Sequence, residues 1–134
     1  MESENKIVMT EEEILNKLIG GCEAPKSTFL LKRLGVQITL KGLTEKEISI
    51  LKVQCTYDRK LNEDEFNSAL ILAATTNFNW NNEKLLNAYG ASSGKALIGK
   101  ILLAGEIVNL TRLILELSGF SNSIEKVEDT IKNL

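Results

Sequence analysis

The chain has 134 residues, of which 43% are apolar and 25% are charged, a composition typical of one soluble globular domain rather than of a disordered chain. Its formal net charge of −2 argues against the clustered basic surface that nucleic-acid binding requires. Because the chain contains no histidine, it cannot form a Ser-His-Asp or Cys-His triad from its own residues. We therefore predict a protein without enzymatic activity, cofactor or metal site.

The cysteines and the apolar segments indicate where the protein acts. Cys22 and Cys55 are too few for a disulfide framework, and the first ten residues, MESENKIVMT, do not resemble a secretion signal. The longest apolar stretch, residues 96–117, is interrupted by charged residues, which a membrane span tolerates poorly. These features predict a reducing cytoplasm, no membrane contact, and a Cys55 side chain that acts as a small buried residue rather than as a nucleophile.

Residues 1–26 are predicted to form a short helix and a linker. Thr10 and Glu13 have the spacing of a capping box, in which each side chain accepts a hydrogen bond from the backbone N–H of the other residue. The paired glycines at 20–21 are expected to end this helix. Pro25, the only proline of the chain, indicates a linker after it.

Residues 27–120 are predicted to form the core domain, which begins with a β-hairpin. The segment VQITLK, starting at Val36, alternates apolar and polar residues, and this period of two indicates a half-buried strand. Residues 29–33 would form its partner strand, with the turn at residues 34–35. Because a lone hairpin is barely stable in water, we expect it to pack against helices.

Helices are predicted along the rest of the core domain. Thr44 and Glu47 have the spacing of a second capping box, and Asn62 is expected to cap the next helix. The Asn-rich loop TTNFNWNN follows, and then a short helix that ends at Gly90. A long helix is predicted over about residues 95–117. Its apolar residues cover roughly half of its circumference, so we expect it to be the central helix, with neighbours on two sides.

Residues 121–134 are predicted to form a C-terminal amphipathic helix, because Ile124, Val127, Ile131 and Leu134 have helical spacing. This helix would either cap the domain or pair with a partner chain, and the sequence does not separate these alternatives. Together the elements predict a mostly α fold: a small single-domain helical protein with one N-terminal β-hairpin.

The segment AYGASSGKALIGK, residues 88–100, contains the glycines and the lysine of a phosphate-binding loop but not their spacing. Its two central glycines are separated by three residues where the motif requires four, and its lysine is followed by alanine rather than by serine or threonine. We expect instead that Gly90 ends one helix and that Ser92 or Ser93 caps the next one.

Several motifs follow one another in a characteristic order. The hairpin and the helix start after it, FLLKRLGVQITLKGLTEKEISIL, precede LILAATT, an Asn-bearing loop, LLNAYG and KILLAGEIVNLTRLILELSGF. In this order, over about residues 11–120, the chain resembles the XkdN-type tail assembly chaperones of PBSX-like prophages and of contractile, R-type bacteriocins. Because each motif is short and apolar, the resemblance rests on their order rather than on any one of them.

The resemblance implies a role in assembly rather than in catalysis. Such proteins bind the long, apolar tape measure protein in the cytoplasm of the bacterial host, keep it soluble while tail tube subunits polymerise around it, and are absent from the mature particle. Many related systems also make a longer form by ribosomal frameshifting, and its extension is held to recruit the tail tube protein. The resemblance therefore implies the tape measure protein and the tail tube protein as partners. We also expect a homo-oligomer, which would shield apolar surface until the client arrives.

Seven residues are candidates for partner binding. Two are aromatic residues of the Asn-rich loop, one lies in the short helix, and four form one apolar stripe of the predicted long helix. The candidates are Phe78, Trp80, Tyr89, Leu103, Ile107, Leu110 and Ile114. An aromatic loop residue either anchors a partner or folds back over the core, and the stripe is either buried by the chain's own helices or kept for another chain. The sequence leaves both alternatives open.

Two other functions remain as alternatives. One is a small helical regulatory or adaptor protein of a mobile element that contacts nucleic acid, which a steep salt dependence of DNA binding would indicate. The other is a minor structural component of the tail, which retention in purified particles would indicate.

Overall fold

The computed structural model describes residues 8–121 and 123–127, and every structural statement below concerns these residues. Their contacts divide them into two compact units. One contains the described residues before Ala24 and after Ser121, and the other contains residues 24–121.

Helices predominate in both units. The smaller unit contains helix α1 (Glu11–Gly20). The larger unit contains, in chain order, β1 (Lys26–Leu31), β2 (Val36–Lys41), α2 (Glu45–Gln54), β3 (Thr56–Tyr57), β4 (Lys60–Leu61), α3 (Glu63–Ala74), α4 (Glu83–Tyr89), α5 (Gly94–Ile101), α6 (Ala104–Leu115) and a π-helical turn (Glu116–Phe120). The prediction of a mostly α protein with a β-hairpin near its N-terminus is confirmed.

Helix α1 begins and ends where the sequence predicts. The N–H of Glu13 donates to Thr10 Oγ1 at 3.2 Å, and the N–H of Thr10 donates to the Glu13 carboxylate at 3.3 Å, so the capping box is formed. The helix ends at Gly20, and none of its residues is buried.

The C-terminal segment differs from its prediction. Residues 123–126 are irregular and the first helical residue is Val127, so the predicted amphipathic helix does not begin at Ile124. The rest of that prediction, including Ile131 and Leu134, lies outside the described residues. The division of the chain into segments 1–26, 27–120 and 121–134 therefore stays a prediction.

The predicted hairpin is present, with one shift. Strands β1 and β2 pair antiparallel, and Leu31 lies opposite Val36, which leaves residues 32–35 for the turn. Arg33, which is predicted to end the first strand, therefore lies in the turn. Gly35 adopts a φ of +64°, a left-handed conformation that glycine takes without steric cost.

Helix α3 is the centre of the larger unit. It contacts β2, α2, α5 and α6. Its inward face is apolar, and the following side chains are at most 3% exposed: Ala69, Leu70, Ile71 and Ala74. Completely buried neighbours come from the hairpin, α5 and α6: Ile38, Leu40, Leu97, Ile98 and Ile114. Because burial of each large apolar side chain contributes roughly 1.5–3 kcal/mol, this cluster is the main source of stability.

The prediction of one long, central helix over residues 95–117 is wrong. The segment forms α5 and α6, both of which pack on α3, and Leu103 between them has an extended backbone with φ −75° and ψ 156°. One long-range and one local hydrogen bond explain the break. Arg33 donates to the Ile101 carbonyl at 2.8 Å, and the Glu106 carboxylate accepts from the Leu103 N–H at 2.8 Å. These bonds satisfy backbone groups that the end of one helix and the start of the next leave free.

A second, much shorter hairpin is absent from the predictions. Strands β3 and β4 pair across Asp58 and Arg59, whose φ angles are +51° and +66°. Positive φ at both central residues is typical of a type I′ turn, which usually carries Asn-Gly or Asp-Gly. Because neither residue is glycine, the sequence shows only a charged connection at this place.

Candidate functional site

Two apolar grooves border the turn between β1 and β2, and Leu31 lines both of them. The first groove has a volume of about 210 Å³ and lies among the turn, the Asn-rich loop, α4 and α5. It is lined by Leu31, Leu34, Val36, Phe78, Trp80, Leu85, Tyr89 and Ile101. Small-molecule pockets usually measure about 300–1,000 Å³. The smaller volume and the apolar lining of this groove suit protein side chains better than a metabolite.

The second groove lies between β1 and α6 and has a volume of about 390 Å³. It is lined by Phe29, Leu30, Leu31, Lys32, Arg33, Leu103, Glu106, Asn109, Leu110 and Leu113. Five large apolar residues of the two grooves are between 38% and 57% exposed: Leu30, Leu34, Val36, Tyr89 and Leu103. We call the two grooves with these five residues the tip surface.

An ion pair holds the hairpin turn against the junction of α5 and α6. Arg33 donates to both carboxylate oxygens of Glu106, at 3.0 and 2.8 Å. The hydrogen bonds from Arg33 and then from the Leu103 N–H lower the pKa of the Glu106 carboxyl below its usual range, and the same pairing raises the pKa of Arg33. Because both groups stay ionised at neutral pH and neutralise each other, the pair adds no net charge to the tip surface.

The Asn-rich loop is bonded to the hairpin and forms one wall of the first groove. The N–H of Thr39 donates to Asn77 Oδ1 at 3.0 Å, and Asn77 Nδ2 donates to the Gln37 carbonyl at 3.0 Å. The indole N–H of Trp80 donates to Thr75 Oγ1 at 3.0 Å, so its polar group is satisfied inside the protein.

The aromatic rings of this loop meet each other beside the groove. The centroids of Phe78 and Trp80 are 4.7 Å apart, with an angle of 57° between the ring planes. Trp80 is only 4% exposed, so its ring supports the groove and presents little surface of its own.

The structure brings five of the seven predicted partner-binding residues to the tip surface. Phe78, Trp80 and Tyr89 line the first groove, and Leu103 and Leu110 line the second. Ile107 and Ile114 line neither groove: Ile114 is completely buried in the core, and Ile107 is partly buried against it. Only Tyr89 and Leu103 of the seven are strongly exposed, at 48% and 56%. The partner-binding roles of all seven stay predictions.

The hairpin turn contributes residues that the sequence analysis missed. Leu34 and Val36 are 38% and 40% exposed at the edge of the first groove, and Arg33 carries the ion pair. The signal was present, because turns usually carry Gly, Asn, Asp or Ser. A large apolar residue such as Leu34 in a turn is unexpected unless it contacts something.

The segment around Gly90 is used for helix caps, as predicted. Gly90 has a φ of +61° after α4, and Ser93 Oγ accepts from the Ala96 N–H at 3.2 Å. The Gly94 N–H donates to Asn81 Oδ1 at 2.6 Å. Two of the backbone donors that a phosphate would need at the start of α5 are thus bonded to side chains of the chain itself.

A polar cluster outside the tip surface joins β3 to α3 and α5. Tyr57 donates to the Glu65 carboxylate at 2.9 Å, and Lys95 Nζ lies 3.1 Å from it. These bonds, first from Tyr57 and then from Lys95, lower the pKa of Glu65. Cys55 beside them is completely buried, as predicted, and burial raises the pKa of its thiol. The cluster therefore links three elements of the fold, and its buried thiol is unreactive.

Residues 8–121 and 123–127 contain neither a metal-binding cluster nor a membrane-spanning helix. No three His, Cys, Asp or Glu side chains in these ranges come together as a metal site. None of the helices there is long and apolar enough to cross a membrane.

Known structures and proteins provide an independent comparison. The chain is similar to the crystal structure of the protein yqbn, with a TM-score of 0.62 and 20% sequence identity, covering 78% of this chain and 95% of that chain. At this identity the likeness concerns the fold alone. No curated protein matches the chain significantly.

The match to a family model covers nearly the whole chain. The family is described as phage XkdN-like tail assembly chaperone protein, and its model matches residues 8–132. This confirms the resemblance noted from the order of the motifs. The chain therefore belongs to the XkdN-like family of phage tail assembly chaperones.

Proposed function

We propose that this protein binds the tape measure protein at the tip surface and keeps it soluble while tail tube subunits assemble around it. The observation that carries the proposal is the tip surface itself, where five large apolar side chains are exposed beside two grooves. Contiguous exposed apolar surface in a soluble protein usually marks an interaction site. Family membership supports a non-enzymatic role in tail assembly.

The shape of the tip surface suits the apolar face of a helix. A helix bound in a groove presents apolar residues at intervals of three and four, and neighbouring anchors would enter the two grooves on either side of Leu31. Tyr89 and Leu103, each about half exposed, would contact these anchors directly. Arg33 and Glu106 already satisfy each other, so a client would not have to supply a charge there.

The wider role follows from the same proposal. The protein would act in the cytoplasm of the bacterial host, in a phage or R-type bacteriocin cluster, and would be absent from the mature particle. A longer, frameshifted form would engage the tail tube protein. A homo-oligomer would cover the tip surface in the absence of client, because exposed apolar area favours association.

The first test is co-expression with the tape measure protein of the same gene cluster. We expect the client to become soluble and to co-purify with the wild-type chain. The triple variant Leu34→Asn, Tyr89→Asn, Leu103→Asn should bind at least about tenfold more weakly, because truncating central contact residues commonly costs more than about 1 kcal/mol each. Val53→Asn is the matched control, since Val53 is 75% exposed on α2 and lines neither groove.

Three outcomes would contradict the proposal. If the client stays insoluble and no complex is recovered, this chain is not a sufficient chaperone. If the triple variant binds as tightly as the wild type, the tip surface is not the client site. If the protein is retained in purified tails, a minor structural role replaces the chaperone role.

A further inference from the structure

The two edges of the hairpin differ in what covers them. The outer edge of β2 is closed by the Asn-rich loop: the Thr76 N–H donates to the Thr39 carbonyl at 2.9 Å, and Asn77 bonds to the backbone of Gln37 and Thr39. The backbone groups of Gln37 and Thr39 therefore point away from β1. Since backbone direction alternates along a strand, the intervening residues of β2 bond to β1.

The register then identifies the backbone groups that point outward from β1. Ile38 lies opposite Phe29, and Leu40 lies opposite Ser27, so these two residues of β1 face β2. The alternate residues Lys26, Thr28 and Leu30 turn their N–H and C=O groups to the open edge. In the described part of the chain, no other segment forms a backbone hydrogen bond with these three residues. Such an edge is a template for an additional strand.

Two cations flank this edge. Lys26 is the first residue of β1, and Lys32 directly follows its last residue; both are exposed. Neither lies within ion-pair distance of any acidic residue in the described ranges. Six residue steps along a strand span about 20 Å. The edge therefore has a positive charge near each end and Thr28 and Leu30 between them.

The charges argue against a second copy of the chain as the occupant. If two β1 edges paired antiparallel about Thr28, Lys26 of one copy would lie diagonal to Lys32 of the other, twice in the dimer. These like charges would repel each other. An occupant with carboxylates at the same spacing would instead be attracted at both ends.

We propose that the open edge of β1 binds an extended segment of a partner protein as an added antiparallel strand. The segment carries Asp or Glu at its first and seventh residues, beside Lys32 and Lys26, and β-branched or apolar residues between them. Backbone hydrogen bonds to Lys26, Thr28 and Leu30 hold it, and the two ion pairs set its register. This proposal does not depend on the proposed helix-binding function, with whose surface the edge shares the border residues Leu30 and Lys32.

The probe is a capped heptapeptide, Glu-Val-Thr-Val-Thr-Val-Glu, titrated into the ¹⁵N-labelled full chain. We expect amide shift changes on β1 and slower hydrogen exchange at Lys26, Thr28 and Leu30. The variant Lys26→Glu, Lys32→Glu should bind this peptide at least about tenfold more weakly than the wild type does. It should prefer a second peptide, Lys-Val-Thr-Val-Thr-Val-Lys, in which Lys replaces both Glu residues. Lys46→Glu, Lys60→Glu has the same change in net charge and should bind like the wild type.

A backbone variant tests the hydrogen bonds separately from the charges. Thr28→Pro removes an outward N–H that β2 does not use, and proline is tolerated on edge strands. It should abolish binding of either peptide. If it reduces folding instead, the charge-reversal pair still decides the question.

Three results would overturn the proposal. One is binding without slower exchange on β1. A second is binding that the Lys26→Glu, Lys32→Glu variant does not change. The third is a dimer in sedimentation equilibrium that Thr28→Pro dissociates, because a second copy would then occupy the edge.

Discussion

The two ends of the β-hairpin are held in different ways. At the end of β2, the Leu43 N–H donates to Ser118 Oγ at 2.9 Å, and a Cβ added to Gly42 would overlap the carbonyl oxygen of Leu117. At the turn, one ion pair joins Arg33 to α6, and apolar grooves lie beside it. We call these regions the base and the tip. The backbone at Gly42 leaves no room for an added methyl group, whereas the turn borders two open grooves. Under the proposed function, stability and client binding would use different ends of one hairpin.

The largest expected effect comes from the core beside the base. Ile114 is completely buried, and its carbonyl accepts from Ser118 Oγ at 2.6 Å. Ile114→Ala should lower the free energy of unfolding by about 3 kcal/mol, through lost burial and the cavity left behind. The matched tip variant Leu103→Ala should change it by less than about 0.5 kcal/mol. Urea denaturation measures the free energy of unfolding of both variants. Equal decreases at the two positions would show that base and tip contribute equally to stability.

The next effect tests the close approach at the base. Gly42→Ala should cost about 2 kcal/mol, because the new methyl group forces the end of β2 away from the π-helical turn. Gly99→Ala is the control, since a Cβ at Gly99, in the interior of α5, meets nothing within 4 Å. It should stabilise the protein by roughly 0.5–1 kcal/mol through helix propensity. If Gly42→Ala is as harmless as Gly99→Ala, the backbone at the base can move to make room for a methyl group.

A smaller effect is expected from the polar contact at the base. Ser118→Ala leaves the Leu43 N–H without its acceptor and should cost about 1 kcal/mol. Ser49→Ala, an exposed serine on α2, should be within about 0.5 kcal/mol of the wild type. Thermal unfolding of the two variants gives the comparison, and a neutral Ser118→Ala would mean that water replaces the lost bond.

The smallest effect is expected at the tip and depends on pH. The pKa of Glu106 is lowered in the folded protein, chiefly by Arg33, so the pair stabilises the fold above the usual glutamate pKa of about 4.3. This contribution is lost as the pH falls through the lowered pKa. The stability difference between the wild type and Arg33→Met should therefore be constant near neutral pH and shrink below about pH 4.

Two measurements accompany the Arg33→Met prediction. NMR titration should show a higher pKa for Glu106 in the variant than in the wild type. In a Glu106→Gln background, the stability difference caused by Arg33→Met should not depend on pH in that range. A pH-dependent difference in that background would assign the titration to another group.

Local signals predicted the elements well where neighbouring residues decide the structure. Both capping boxes form, at Thr10 and at Thr44, and Asn62 caps α3 as expected. The hairpin followed from the alternation in β2. The caps depend on hydrogen bonds across three residues, and the strand depends on a period of two, so both are visible in a short window of sequence.

The candidate site was predicted only in part. Phe78 and Trp80 are candidates because they are aromatic residues in a polar loop, and Leu103 is a candidate because it belongs to an apolar stripe of the predicted long helix. The turn residues Arg33 and Leu34 were missed because their neighbours are distant in sequence. Arg33 contacts helix residues about seventy positions away, and Leu34 borders a loop about forty positions away. No pattern within the turn itself indicates those neighbours.

The break between α5 and α6 separates what the sequence determines from what only the tertiary structure determines. The sequence by itself determined where helices can start, which strand alternates, and which motifs place the chain in its family. It continues an apolar period through Leu102 and Leu103 without a proline, and Gly99 and Gly105 on either side do not mark the break, so it predicts one helix there. Only the tertiary structure decided that the helix ends at Ile101, because Arg33 reaches that carbonyl and Glu106 from the hairpin turn. The two helices that result form walls of the two grooves.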